Sequence, residues 1–421
     1  MYLTDDQKYQ LLLEISRKVR DTLDLDEIMD HLLDTVKTVV EYNAAGIFIL
    51  NQDLVHGRRE HPREVIAGIA RRGFDLKPAE KDAMLTSGKG IIGHVIFSGA
   101  SLIVPDVRLE PRYIEGRNRT RSEIAVPIVR NNRAIGALNL ESDQVSAYDE
   151  SDLEVLQFIA DAAAISIEKA MLHRQLLEKK LLDKQLQLAR DMQSRLFPSE
   201  PPHIAGYDIA GICLPTEEIG GDYYDYIRLN HRKLGIAVAD VSGNGIASAL
   251  VMTAFRGLLR MHTRGRLGSA KIVRAINRLL PEFTGSSHFV TAVYIVLNPE
   301  CEEFIYVCCG QQPPLLLHSD GSMGNLHVSG PALGIINDAS YSTEKLSIVP
   351  GDILTMYTDG VVEMTNPEGI DFGVERLATA IYQGRDLPAS ELIQMIISET
   401  QQFSGSQSYP DDFTLVIIKR V

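Results

Sequence analysis

Six aspartates in the second half of the chain stand where apolar runs meet turns. Asp222 and Asp225 lie in "GGDYYDY", Asp240 ends "LGIAVAD", Asp359 ends "ILTMYTD", and Asp411 and Asp412 precede "FTLVIIK". Carboxylates are hard oxygen donors that suit Mg²⁺ or Mn²⁺. Gathered at one rim they repel one another, and protonation or a cation must relieve that repulsion. Two such ions can activate a water for attack on phosphorus. Each aspartate also has an ordinary local reading. Asp240 can cap the helix that starts near Ile246, Asp359-Gly360 reads as a hairpin turn, and Asp411 and Asp412 can be loop residues after Pro410. The metal reading needs the strand ends to converge, which spacing along the chain leaves open. Gly220, Gly221, Gly243, Gly245 and Gly360 let the backbone come close to a ligand beside them.

The elements that must position these residues are strands with a few helices. From about residue 203 the chain carries strand patterns in "LGIAVAD", "FVTAVYIVL", "EEFIYVCCG", "PPLLLHS", "DILTMYTDG" and "FTLVIIKRV". Helical patterns run through "IASALVMTAFRGLLRMH" and "SAKIVRAINRLLPEF". Together they predict an α+β domain over 203–421, a sandwich of sheets covered by helices. Before it, residues 1–165 predict a smaller α+β domain. Thr4 can cap its first helix and Asp24 or Asp26 its second, in which Leu25, Ile28, Met29, Leu32, Leu33, Val36, Val39 and Val40 follow a helical period. "AAGIFIL" reads as a buried strand, and Asn131-Asn132 as the turn of a hairpin.

A helical pattern free of Gly and Pro runs from Asp149 nearly to Phe197, where Pro198, Pro201 and Pro202 stop it. At about 1.5 Å per residue it spans on the order of 70 Å. Residues 166–202 are read as a helical linker. Its stripe of Leu172, Leu177, Leu181, Leu188, Met192 and Leu196 favours a dimeric coiled coil over one helix packing its ends on separate domains.

The chain has 421 residues with a formal net charge of −14. That length suits two domains, and that charge argues against nucleic acid or an anionic membrane as main partner. "MYLTDDQKYQ" lacks the pattern of a signal peptide, and no apolar stretch reaches a membrane span, so a cytoplasmic location is expected. Cys213, Cys301, Cys308 and Cys309 show no zinc spacing and read as buried, reduced thiols. Other phosphate chemistries lack their motifs: there is no P-loop, no kinase H-R-D loop, and no cysteine with the arginine of cysteine-dependent phosphatases.

Residues from about 185 to 421 resemble the bacterial metal-dependent serine/threonine phosphatases of the protein phosphatase 2C-like (PPM) class, of the sporulation stage II protein E type. The carriers are "LARDMQSRLFP", "IGGDYYDY", "VADVSGNGIASALVM", "FVTAVYIVL", "GQQPPLLL", "GPALGI", "PGDILTMYTDGVVEMTNPEG" and "DDFTLVIIKR". The resemblance implies a central β-sandwich flanked by helices and two Mn²⁺ or Mg²⁺ ions. Asp240 would bridge the ions, Val241 would lend its carbonyl, Asp359 and Asp411 would be ligands, and Asp222 would act beside them through water. Asp240 and Asp359 are then the catalytic candidates, and water attacks phosphoserine or phosphothreonine without a phosphoenzyme. Two departures stand out: Asn244 and Gln311 occupy positions where the family often has histidine. They motivate a rival reading, a catalytically inactive partner-binding scaffold of the same fold.

Residues 5 to about 170 resemble a GAF sensor domain, through "GKGIIGHVIFSGASLIVPDV", "RYIEGRNRTRSEIAVPIVRNNRAIGALNLES" and "DLEVLQFIADAAAISIEKAMLHRQL". The resemblance names no ligand. Without cysteine in this half a covalently attached bilin is excluded, and His94 reads as a core residue. The whole implies a homodimeric signalling phosphatase whose GAF domain acts through the linker on a phosphoprotein, an anti-sigma-factor antagonist being the expected substrate.

Overall fold

The computed structural model describes residues 22–50, 66–74 and 89–421, apart from 231, 266, 285, 286 and 325, together with a few positions before residue 22. Thr4 lies outside the described residues. The chain divides into two compact units, Met1–Leu181 and Leu182–Val421.

In the first unit, helix α1 (Leu25–Val39) starts where expected. The Asp24 carboxylate accepts from the backbone N–H groups of Asp26 and Glu27, satisfying donors that the first turn leaves open. Strands β1 (Ala44–Leu50), β2 (Ile66–Arg72), β3 (Leu102–Val104), β4 (Ser122–Arg130) and β5 (Arg133–Ser142) form one antiparallel sheet in the order β2-β1-β5-β4-β3. Asn131 and Asn132 join β4 to β5 with φ of 50° and 61°, the two positive values that a tight hairpin demands. One sheet face packs on α1 and on the first half of the long helix α3 (Glu150–Ser194), with Ile47, Val126, Leu138, Leu156 and Ile159 in the core. The other face carries Phe48, Ala125 and Ala137 under helix α2 (Gly90–Ser98).

Helix α3 matches the uninterrupted pattern in the sequence. Its buried residues end at Ala170. Beyond that, Leu172, Leu177, Leu181, Leu188 and Met192 are exposed along the single chain.

The second unit is a β-sandwich. Strands β6 (Tyr207–Leu214), β7 (Tyr223–Arg228), β8 (Leu234–Val241), β9 (Val290–Asn298), β10 (Glu303–Cys309), β11 (Leu315–Leu317), β12 (Met323–Gly324), β13 (Glu344–Ser347), β14 (Ile353–Tyr357) and β15 (Phe413–Arg420) make two five-stranded sheets. Their orders are β13-β10-β9-β8-β7 and β12-β11-β14-β15-β6. Ile236, Val238, Val293, Ile295, Leu354, Met356 and Val416 fill the space between them. Helices α4 (Gly245–Thr263) and α5 (Ser269–Leu279), followed by the short α6 (Pro281–Thr284), cover the first sheet. The second is covered by α8 (Gly373–Gln383) and α9 (Ala389–Ser404); a single helical turn, α7 (Asp359–Val362), follows β14. Side chains alternate between the inter-sheet face and the helix face, as pleated strands require. The α+β reading and the flanked sandwich hold.

Of the four cysteines, only Cys308 and Cys309 are buried; Cys301 is exposed and Cys213 half-buried, all as free thiols.

Candidate functional site

The alternation that builds the sandwich also places the site. In β8 the residues Leu234, Ile236 and Val238 face the opposite sheet, and Asp240 continues that face at the strand's end. Thr291 stands directly opposite Asp240 across the β8–β9 ladder. Asp222, just before β7, is 2% exposed. The Thr358 hydroxyl, just beyond β14, donates to it at 2.8 Å and so ties one sheet to the other. A layer of polar side chains thus replaces the apolar filling at one rim of the sandwich.

Asp359 corrects the hairpin reading. It opens α7 with Thr358 as the residue before the helix, and Gly360 has no positive φ. Glycine is needed there for a different reason: a Cβ would stand 2.1 Å from the backbone oxygen of Asp412. Asp411 and Asp412 do lie in the loop after Pro410, whereas the capping reading of Asp240 gives way. Asp240 lies inside β8, and the residue preceding α4 is Asn244.

Asp222, Asp240 and Asp359 each feel the charge of neighbouring carboxylates. Burial first, and then Asp240, hold the Asp222 carboxyl well above the usual range. Burial first, and then the charges of Asp359, Asp411 and Asp412, push Asp240 up to about 7. Asp359 is raised by burial and by Asp411. Carboxylates in this state favour protons or cations. The expected carbonyl ligand belongs to Val241, which is 1% exposed; a Cβ on Gly221 would approach that oxygen to 2.9 Å, so glycine keeps the space beside it open. Among the described residues no three His, Cys, Asp or Glu side chains form a ready cage for one ion. The carboxylates couple in smaller groups, which fits Mg²⁺-like ions that keep several waters and take one or two carboxylates each. The donor set, all oxygen and all anionic or carbonyl, fits the expected ions.

Two aspartates of the same motifs do other work. Asp225 is fully buried and faces the helix side, where it takes both forks of Arg260 at 2.6 and 2.8 Å and accepts from the Tyr223 hydroxyl. Asp412 accepts from the backbone N–H groups of Thr216 and Gly221 at 2.8 Å and of Asp222 at 3.3 Å, pinning the loop that carries Asp222. Asp411 beside it is exposed.

Sequence reasoning missed Thr358 and Gln193, and named Asp412 without its role as a clamp. In the last turn of α3 the Gln193 amide donates to the Gly220 carbonyl at 2.7 Å and accepts from the Gly220 N–H at 3.2 Å. The helix end therefore grips the backbone two residues before Asp222. Leu196 and Phe197 follow it into the core, Phe197 against Tyr223 and Tyr224. The partners of these contacts are far apart in the sequence, and only their polarity at strand or helix ends hinted at them.

Comparison with known proteins agrees with this geometry. Residues 230–421 match the family model "Stage II sporulation protein E (SpoIIE)", and residues 22–168 match a GAF domain model. Phosphoserine phosphatase RsbU of Bacillus subtilis is 26% identical over 239 residues, covering 56% of this chain and 70% of that protein. Phosphoserine phosphatase RsbP of the same organism is 27% identical over 242 residues, covering 56% of this chain and 58% of that one. The solved SiaA-PP2C domain of Pseudomonas aeruginosa superposes with a TM-score of 0.51 at 19% identity, over 57% of this chain and 98% of that domain, a likeness of fold. The chain thus joins a segment that matches the GAF domain model to a segment that matches the SpoIIE model and shares the fold of a PP2C domain.

Proposed function

We propose that the protein is a metal-dependent serine/threonine phosphatase of a bacterial signalling pathway, acting on phosphoserine or phosphothreonine in a partner protein. The observation that carries this reading is the rim of the sandwich, where burial and neighbouring carboxylates raise the proton affinity of Asp222, Asp240 and Asp359 in a domain that matches the SpoIIE model. Asp240, Asp359, Asp411 and the Val241 carbonyl would hold two Mn²⁺ or Mg²⁺ ions, with Asp222 reaching them through water. Such ions activate water at neutral pH and offset the charge of a phosphoryl group. The chain's own residues fix the geometry: Thr358 orients Asp222, and Asp412 locks the loop that bears it. Water would then attack phosphorus as the bond to the serine or threonine oxygen breaks, releasing phosphate and the free hydroxyl, with no side chain of this protein phosphorylated. The likeness to two phosphoserine phosphatases supports a phosphoprotein substrate, for which an anti-sigma-factor antagonist is the candidate.

Regulation by the GAF domain belongs to the same proposal. It rests on α3, which begins in the GAF unit as a core helix and ends with Gln193 bonded to Gly220. The boundaries 1–165, 166–202 and 203–421 are proposed as sensor, linker and catalytic domain. A three- or four-residue insertion within Leu177–Leu188 should change basal or stimulated activity; unchanged activity in both would remove the coupling. For the catalytic reading, a phosphoserine-bearing protein is incubated with Mn²⁺ and either wild type or Asp359→Asn. Phosphate release by wild type alone supports it. Equal release by both removes Asp359 from the site, and none from either favours the inactive scaffold.

A further inference from the structure

Gln311 stands between the two sheets at the rim that carries the aspartates. It follows β10 and is 4% exposed. Its side-chain oxygen accepts from the Thr291 hydroxyl, and its side-chain nitrogen donates to the Tyr357 carbonyl at 3.2 Å. The two ends of one amide therefore bond to different sheets: Thr291 to the sheet of β8 and β9, Tyr357 to the sheet of β14. Both partners are tied to proposed ligands. Thr291 is the register partner of Asp240, with its hydroxyl 3.4 Å from the Asp240 carbonyl. Tyr357 ends β14, two residues before Asp359. The backbone holds the side chain in place. Gly310 has a φ of +67°, a Cβ there would lie 2.6 Å from the Ala332 nitrogen, and the Cys308 thiol donates to the Gln311 carbonyl at 3.1 Å.

We infer that Gln311 is a positioning residue that sets the separation of Asp240 and Asp359, and through it the affinity of the site for divalent cations. This rests on the phosphatase reading above. The hydrogen-bond ladders fix spacing within each sheet, whereas the sheets meet through apolar side chains that have no directional preference. A site of this kind works only when its groups are held to within about 0.5 Å, so a directional bond across the gap matters more than its stability contribution. Thr358 makes a comparable tie to Asp222, and Gln311 makes a second that relates Asp240 to Asp359. The amide supplies one acceptor and one donor on opposite sides, which is what the Thr291 hydroxyl and the Tyr357 carbonyl require. An imidazole can serve both partners in one tautomer, and leucine neither.

The test measures Mn²⁺ binding by the fall of the free-ion electron paramagnetic resonance signal, alongside kcat and KM for p-nitrophenyl phosphate and the melting temperature. The full-length chain is used as wild type, Gln311→Leu, Gln311→His, Thr291→Val and the Leu/Val double variant. Loss of a residue that orients metal ligands typically weakens metal affinity about 10–100-fold. Gln311→Leu and Thr291→Val are each expected to weaken Mn²⁺ binding about tenfold or more, with the double variant no weaker than the worse single one. Gln311→His should bind within about threefold of wild type, and kcat at saturating Mn²⁺ should fall less than affinity does. Gln311→Leu and Thr291→Val that bind Mn²⁺ like wild type would overturn the inference, even with a lowered melting temperature. If Gln311→Leu does not fold, Thr291→Val decides alone by the same criterion. Wild type that neither binds Mn²⁺ nor turns over would remove the phosphatase reading and this inference together. A normal wild type beside normal variants removes only the inference.

Discussion

Asp222 and Asp225 lie three residues apart in one motif, yet replacing each by asparagine should move the stability of the metal-free protein in different directions. The Asp225 carboxylate is fully buried against both forks of Arg260 and the Tyr223 hydroxyl. Asparagine offers one acceptor oxygen, so an N–H group would face an N–H group. Breaking a buried pair by removing one partner costs about 3–5 kcal/mol, and the low end applies because the Arg260 side chain is 42% exposed and can be rehydrated. About 3 kcal/mol in a unit of this size corresponds to a fall in Tm of about 6–12 °C. Asp222 is equally buried but faces Asp240 instead of a cation. Asparagine there removes a carboxyl whose ionisation burial and Asp240 oppose and keeps an oxygen for Thr358, so Tm in EDTA should hold or rise. Calorimetry in EDTA and again in Mn²⁺ separates the two. An ion at 100 times its Kd adds about 2.7 kcal/mol, a gain that Asp225→Asn should retain and Asp222→Asn should lose in part. If Asp222→Asn fell as far as Asp225→Asn in EDTA, the division into a site aspartate and a structural one would be refuted. So would an Asp225→Asn variant within about 2 °C of wild type.

Three further outcomes are expected. Asp412→Ala leaves the Thr216, Gly221 and Asp222 N–H groups without their charged acceptor, and Mn²⁺ affinity should drop about tenfold; titration calorimetry showing wild-type affinity would contradict the clamp. In the GAF domain Glu123 faces Glu141 directly across β4–β5, and burial and that charge hold its carboxyl well above the usual range. The folded state then binds the proton more tightly than the unfolded one. The contribution is complete below the ordinary carboxylate pKa and is lost as pH rises through the raised value; Glu123→Gln should flatten this decline, and an unaltered pH profile would count against it. Leu177→Glu with Leu181→Glu places charge on the exposed stripe of α3, and light scattering should show the mass halve from a dimer, whereas a monomeric wild type would rule out the coiled coil.

Local signals were read well where one element decides the outcome. The cap by Asp24, the seven buried residues of β1, the Asn131-Asn132 turn and the long helix all follow from neighbours in the sequence. Asp359-Gly360 was misread because the same dipeptide serves two physical needs. A hairpin uses glycine for positive φ, whereas here glycine makes room for the Asp412 backbone. The motifs pointed to six carboxylates without saying which of them meet. Asp225 and Asp412 resemble site residues in sequence and are distinguished only by partners contributed from elsewhere, Arg260 in one case and the 216–222 loop in the other. Gln311, recognised in the sequence as a departure from the family pattern, gained a role only when the two sheets were set face to face.

As proposed, the rim aspartates form a metal-dependent phosphatase centre. Hydrolysis of p-nitrophenyl phosphate by wild type, Asp240→Ala and Asp359→Ala, each in EDTA and in Mn²⁺, tests it most directly. Turnover is expected of wild type in Mn²⁺ but not in EDTA, and of neither variant in either condition. Turnover that persists in EDTA, or in either variant at the wild-type rate, would contradict the proposal.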